Sequence, residues 1–304
     1  MCGISGIIHK NSLANDRPDV GSELVKMLES MTHRGMDSCG ITVAGQPEIG
    51  ELLVRIWIDD SLKAKDIEGV CEKVIGKAGG VIVDKIVIDE FLRITLNYKG
   101  KVSELAEALL AIDGIEIHSI GRSSEVIKDI GTPKQMDTRH KISGMLGTHG
   151  IGHVRLATES KVDVSHSHPF WAYPFPDVTV VHNGQLTNYH SVKRDYEDSG
   201  HRFLTHNDSE VIAVYLADRL ARGATLREAL EDSLDDLDGT FTYLVSTRNG
   251  MGFAKDQWSA KPLVTMENED VVAVASEEVA LRQIFSEEIA RQEPQQSEVM
   301  TWLL

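Results

Sequence analysis

The chain has 304 residues, with 31 Lys and Arg against 47 Asp and Glu and a formal net charge of −16 at pH 7. A surface that acidic repels phosphate backbones and argues against a general nucleic-acid binder, and no apolar run approaches the roughly 20 residues needed to cross a bilayer. Hydrophobic residues at 41% and charged residues at 26% are ordinary for a globular chain of one large or two modest domains. Three cysteines, Cys2, Cys39 and Cys71, are too few and too odd for a disulfide framework. The start of the chain lacks the pattern of a secretory signal. These numbers lead us to expect a soluble, cytoplasmic protein without membrane or nucleic-acid partners.

The first strand is expected at Ile4–Ile8, a β-branched run with Gly3 and Gly6. Val20, Leu24, Met27, Leu28 and Met31 then recur at helical spacing, and Gly35 is read as ending that helix. A second strand follows at Gly40–Val43. The stretch 50–125 has its own order. Glu51–Ile58 alternates like a strand, Ser61–Ile75 is helix-like, and Gly80–Ile88 with Glu90–Tyr98 suggests a hairpin. Val102, Leu105, Ala106, Leu109 and Leu110 form an amphipathic helix, and Ile115–Ile120 is a last strand. Strand, helix, strand, strand, helix, strand is the ferredoxin-like split arrangement, so an inserted α/β subdomain is expected over 50–125.

Downstream, a helix is expected after Asn207, with Asp208 as its cap and Val211, Ile212, Val214, Tyr215 and Leu220 on its apolar face. Another starts at Thr225. Strands follow at Thr240–Val245, Met251–Lys255, Leu263–Met266 and Val271–Ala275, and the polar run Gln292–Gln296 marks 291–304 as a C-terminal tail.

Cys2 stands out by position. A lone cysteine is more often a small buried hydrophobe. Removal of Met1, however, would place a free α-amine beside this thiol, and the two groups titrate close enough to exchange a proton near neutrality. One residue would then serve as both nucleophile and base. Taken alone, other residues read blandly: Asn183-Gly184 as a tight turn, Arg155 as a surface cation, Asp208 as a cap. The 12 histidines include His149, His153, His166, His168 and His182, but their spacing matches no zinc pattern, so no metal is expected. Gly76, Gly79 and Gly80 lack the Lys-Ser/Thr context of a phosphate loop.

The segments MCGISGII, HRGMDSCG (33–40), GHVRLATES (152–160), HNGQLTNY (182–189) and NDSEVIA (207–213) occur in that order. Together they resemble the class II glutamine amidotransferases, the N-terminal-cysteine branch of the N-terminal nucleophile (Ntn) hydrolases. The resemblance implies an α+β fold, a four-layer αββα sandwich of two stacked antiparallel sheets over 2–290. It also implies that Cys2 is the nucleophile, with the Asn183 side chain and the Gly184 N–H as oxyanion donors. Arg155, aided by Thr158, would hold the α-carboxylate of glutamine and Asp208 its α-ammonium, with Arg34, Gly35 and His153 as supporting residues. Three positions depart from the common pattern: Leu156 where several relatives have Trp, Glu159 where His is frequent, and Cys39 where Ala is common.

The segment GRSSEVIKDIGTP (121–133) and the expected insert are similar to the stand-alone amidotransferase subunits of glutamate-synthase-like systems, such as the small subunit of N-methylglutamate synthase. That resemblance implies a hetero-oligomer. This chain would bind no cofactor, since three separated cysteines cannot ligate an iron–sulfur cluster alone, and a separate synthase polypeptide would carry flavin and iron–sulfur groups. Hydrolysis of glutamine with ammonia passed to that partner is the expected function. The alternatives are γ-glutamyl transfer to an amine such as methylamine, and a catalytically silent structural or regulatory subunit.

Overall fold

The computed structural model describes residues 2–12, 17–45, 52–59, 64–157 and 161–304. In chain order it contains β1 (Gly3–His9), α1 (Val20–Ser30), β2 (Ser38–Ala44), β3 (Leu52–Ile58), α2 (Ala64–Lys77), β4 (Val81–Ile88), β5 (Phe91–Asn97), α3 (Val102–Leu110) and β6 (Ile115–Gly121). There follow β7 (Glu125–Ile130), α4 (Pro133–His140), β8 (His149–Arg155), β9 (Phe170–Trp171), β10 (Thr179–Leu186), α5 (Tyr189–Asp198), α6 (Asp208–Ala221) and α7 (Leu226–Asp236). The last elements are β11 (Gly239–Thr247), β12 (Gly250–Lys255), β13 (Val264–Glu267), β14 (Val271–Ala275), α8 (Glu278–Leu281) and β15 (Val299–Leu303).

The strands form three sheets of mixed α/β architecture: β13-β14-β1-β8-β2-β7, then β15-β12-β11-β10-β9, and finally β4-β5-β3-β6. The first two share a core. Alternation along β1 shows why: Ile4 and Ile8 join Ile151, Val181, Leu244 and Phe253 between the sheets, while Ile7 points the other way, among Leu24, Met27 and Leu28 of α1. On the far side of the second sheet, Ile212 and Leu216 of α6 and Leu230 of α7 pack on Tyr243, Val245 and Ala254. Each such fully buried aliphatic side chain contributes about 1.5–3 kcal/mol. Helices therefore flank the sheet pair on both sides. Thr225 caps α7 in a reciprocal pair with Glu228, as its position before the apolar stripe predicts.

Residues 52–121 contribute the third sheet, whose order β4-β5-β3-β6 is that of the split βαβ unit. Val54, Ile56, Leu92 and Ile94 face Cys71 and Ile75 of α2 and Leu105 and Leu109 of α3. The opposite face of this sheet meets β7 through charge. Glu125 of β7, 1% exposed, accepts from Arg55 Nε at 2.5 Å and from Arg93 Nε at 3.0 Å. Burial pushes the Glu125 carboxyl up, but the two guanidiniums outweigh it and hold it at about 2.

Several boundaries differ from the sequence reading. The first helix stops at Ser30, and a 3-10 turn over Thr32–Arg34 separates it from Gly35. Residues 291–304, read as a tail, include β15, which pairs with β12 from Gly250↔Leu303 to Ala254↔Val299 and forms the edge of the second sheet. The polar run before it hid a strand whose apolar partners lie 45 to 53 residues upstream in β12. Among the described residues no helix is long and apolar enough to cross a membrane.

Candidate active site

The N-terminal end of β1 opens onto a cleft of about 880 Å3 between the first two sheets. Cys2, Arg34, Arg155, Leu156, Asn183, Gly184 and Asp208 all line it. Of the other residues singled out, Gly35 and His153 stand directly behind this lining, and Thr158 and Glu159 lie outside the described residues.

Cys2 is fixed through its backbone. Its carbonyl oxygen accepts from Arg34 Nε at 2.9 Å and from Asn183 Nδ2 at 3.2 Å. Its sulfur faces backbone, 3.4 Å from the Leu156 N–H and 3.7 Å from the Leu156 carbonyl. Arg34, 8% exposed, is held in turn by Glu277, which also accepts from His33 Nε2 at 3.0 Å. Burial pushes the Glu277 carboxyl up, yet Arg34 and His33 leave it lowered. Gly35 is required for a different reason. A Cβ there would lie 2.4 Å from the Arg155 carbonyl carbon, so only glycine lets this turn pass against the end of β8.

Asn183 and Gly184 are not a turn. They lie within β10, in register with Thr242 and Phe241 of β11. Gly184 has φ of 137°, and a Cβ there would sit 1.9 Å from the Thr240 carbonyl oxygen. The glycine thus twists the strand locally where it borders the cleft, an outcome that the Asn-Gly pair by itself does not distinguish from a hairpin.

The helix cap also moves by one residue. Asn207, not Asp208, is the N-cap of α6: its Oδ1 accepts from the Ser209 N–H at 2.9 Å. Asp208 is the first helical residue, and its Oδ2 accepts from the Leu186 N–H at 3.0 Å. Burial raises the Asp208 carboxyl, but His182 and the N–H groups of Leu186 and Ser209 prevail and lower it, so it stays ionised. Across the cleft Arg155, 6% exposed, donates from Nη1 to the Lys161 carbonyl at 3.1 Å. An anionic and a cationic side chain thus border the same cleft as a thiol and an amide donor. That arrangement can bind a zwitterionic amino acid and present its side chain to a nucleophile.

Residues not singled out from sequence support these groups. Ser276 Oγ accepts from the Ile4 N–H at 3.0 Å and lies 3.4 Å from Asn183 Nδ2. Ser276 and Glu277 follow the last strand of the first sheet, and no spacing signal links them to the N-terminus. Ser209 Oγ lies 2.8 Å from His168 Nε2 and 3.0 Å from His182 Nδ1. Among the described residues no group of three His, Cys, Asp or Glu is disposed to hold a metal.

A family model described as a glutamine amidotransferase domain matches residues 153–283. A Methanothermobacter thermautotrophicus protein named as a glutamine amidotransferase is 40% identical over 290 residues, 94% of each chain. The glutamine amidotransferase-like protein GlxB of Rhizobium meliloti is 36% identical over 304 residues, covering 99% of this chain and 98% of its own length. Among solved structures, glutamine phosphoribosylpyrophosphate amidotransferase from B. subtilis superposes with a TM-score of 0.60 at 19% identity, over 99% of this chain and 47% of that one. At that identity the likeness concerns the fold.

Proposed function

The chain belongs to the glutamine amidotransferases, and from that premise we propose that it is the glutaminase component of a larger synthase. The observation that carries this reading is the convergence of Cys2, Asn183, Arg155 and Asp208 on one cleft. With Met1 removed, the α-amine of Cys2 takes the thiol proton and the sulfur attacks the side-chain amide carbon of glutamine. Asn183 Nδ2 and the Gly184 N–H receive the oxyanion, Arg155 and Thr158 the α-carboxylate, and Asp208 the α-ammonium. The C–N bond breaks, the α-ammonium of Cys2 returns its proton to the departing nitrogen, and ammonia leaves. Water then cleaves the γ-glutamyl thioester to give glutamate and restore the thiol. The sheet pair with its flanking helices is, in this reading, the αββα sandwich of the Ntn hydrolases, and residues 52–121 are an insert within it. The ammonia goes to a separate glutamate-synthase-like or N-methylglutamate-synthase-like partner carrying flavin and iron–sulfur groups.

A second reading keeps the same site and has an amine such as methylamine replace water at the thioester. Both are tested by glutamine turnover with the isolated and partner-bound protein, beside Cys2→Ala and an intact-mass measurement of the N-terminus. Turnover that survives Cys2→Ala would sink the mechanism. A γ-glutamyl amide formed with added methylamine selects the second reading, and no turnover in any assembly leaves a structural subunit.

A further inference from the structure

The Asn183 amide is fixed on both sides. One amide atom lies 3.2 Å from the Cys2 carbonyl oxygen, which can only accept, so that atom is the nitrogen Nδ2. The other is therefore Oδ1, and it lies 3.1 Å from His153 Nε2. Two acceptors cannot share that contact, so His153 carries its hydrogen on Nε2 and donates it. His153 Nδ1, buried without a hydrogen-bond partner, is then the bare nitrogen, whose unmet lone pair costs less than an unmet N–H. The His153 ring is fully buried and stacks on His168, with centroids 4.1 Å apart and planes 23° apart. His168 is itself tied to Ser209 at 2.8 Å.

We propose that His153 is a positioning residue: as the neutral Nε2–H tautomer braced by His168, it holds the Asn183 amide with its N–H2 turned towards Cys2. The proposal rests on the reading of Asn183 as an oxyanion donor. Without the His153 hydrogen bond the amide is held on one side only, by the Cys2 carbonyl and Ser276, and its N–H2 can swing away from where the oxyanion forms. A donor is then no longer held where the charge develops, whereas glutamine binding, made by Arg155 and Asp208, is untouched. Desolvation supports the neutral state, since burial pushes the His153 imidazolium down to about 3.

His153→Leu and His153→Gln separate orientation from packing, because glutamine can place an N–H near the position of Nε2. With the Cys2-processed protein in its active assembly, His153→Leu is expected to lower kcat for glutamine hydrolysis by about 10²–10³-fold, the usual loss on removing one oxyanion donor. KM should stay within about threefold, and His153→Gln should recover most of the loss. Adding His153→Leu to Asn183→Ala should cost nothing further. Equal activity of the wild type and His153→Leu, or a loss confined to KM, overturns the proposal. A wild type that turns over glutamine but is indifferent to Asn183→Ala overturns instead the oxyanion reading on which it rests. If His153→Leu does not fold, 15N NMR of the wild type decides: an Nε2–H tautomer supports the proposal, and an Nδ1–H tautomer or an imidazolium at neutral pH refutes it.

Discussion

Arg34 Nε donates to the carbonyl oxygen of Cys2 at 2.9 Å, so the residue bearing the thiol is held by a guanidinium 32 positions away. Glu277, from the far end of the chain, neutralises that guanidinium. The position of the thiol is thus set by an ion pair from elsewhere in the chain as well as by the strand that follows Cys2.

Arg34→Ala should therefore reduce glutamine turnover at least tenfold and cost about 1.5–3 kcal/mol, because the Cys2 carbonyl loses its charged donor while the partly exposed Glu277 is resolvated. Arg34→Lys should recover the charge without the geometry, since an ammonium cannot address the Cys2 carbonyl and the Glu277 carboxylate as a planar fork does. Urea unfolding and initial-rate assays on the two variants measure both effects.

Asn207 and Asp208 are neighbours with separable tasks. Asn207→Ala should lower stability by about 1 kcal/mol, the ordinary value of a helix cap, and leave the KM for glutamine nearly unchanged. Asp208→Asn should instead raise KM by about 10–100-fold, for a lost charged hydrogen bond of about 1.5–3 kcal/mol. Equal KM values for these two variants would remove Asp208 from the substrate site.

Gly184→Ala introduces a Cβ 1.9 Å from the Thr240 carbonyl at a φ of 137°. The β10–β11 ladder must open to accommodate it, so the expected loss exceeds about 3 kcal/mol. Thermal unfolding shows it directly, and a melting temperature within a degree or two of the wild type would contradict the local geometry.

Glu125 anchors β7 to the third sheet through Arg55 and Arg93. Removing this carboxylate leaves two guanidiniums facing each other in a closed interface, and Glu125→Ala should cost about 3–5 kcal/mol. Limited proteolysis should then find 52–121 cleaved sooner than the remainder.

Acid should destabilise the protein in two stages. Burial keeps the His149 ring neutral to about 4 and that of His153 to about 3, and it lowers His118 and His168 well below the ordinary value. The folded pKa values lie below the unfolded one near 6.5, so the unfolded chain binds more protons as pH falls beneath it. Stability is full above about pH 6.5 and should drop by up to about 1.4 kcal/mol per pH unit for each of these histidines. Glu125, lowered from 4.5 to about 2, adds its own loss only between those values. Denaturant midpoints between pH 8 and pH 4 check the first stage, and a flat profile would mean that the rings take up protons at the same pH folded as unfolded.

The extent to which the sequence was legible follows the burial pattern of each element. Where one face is wet the period survives: Val20, Leu24, Met27 and Leu28 mark α1, and Leu105, Ala106 and Leu109 mark α3. β8 was invisible as a strand because every residue from His149 to Arg155 is buried and two are glycines, which erases both alternation and β-propensity. α4 is mainly polar and declares itself only through Pro133 and the Thr132–Gln135 cap. For the site, the ordered segments named Cys2, Arg155, Asn183 and Asp208, but Ser276 and Glu277 carried no local pattern.

The sequence by itself determined the chemistry available: a thiol at position 2, the amide of Asn183, a guanidinium at Arg155, a carboxylate at Asp208, and the family to which they belong. The tertiary structure alone decided how these groups are turned. Asn183 meets Cys2 across 181 residues because two sheets stack, and which amide atom faces the Cys2 backbone depends on its carbonyl on one side and His153 on the other. Orientation of that kind is a property of several hydrogen-bond partners at once, and no stretch of chain contains them all.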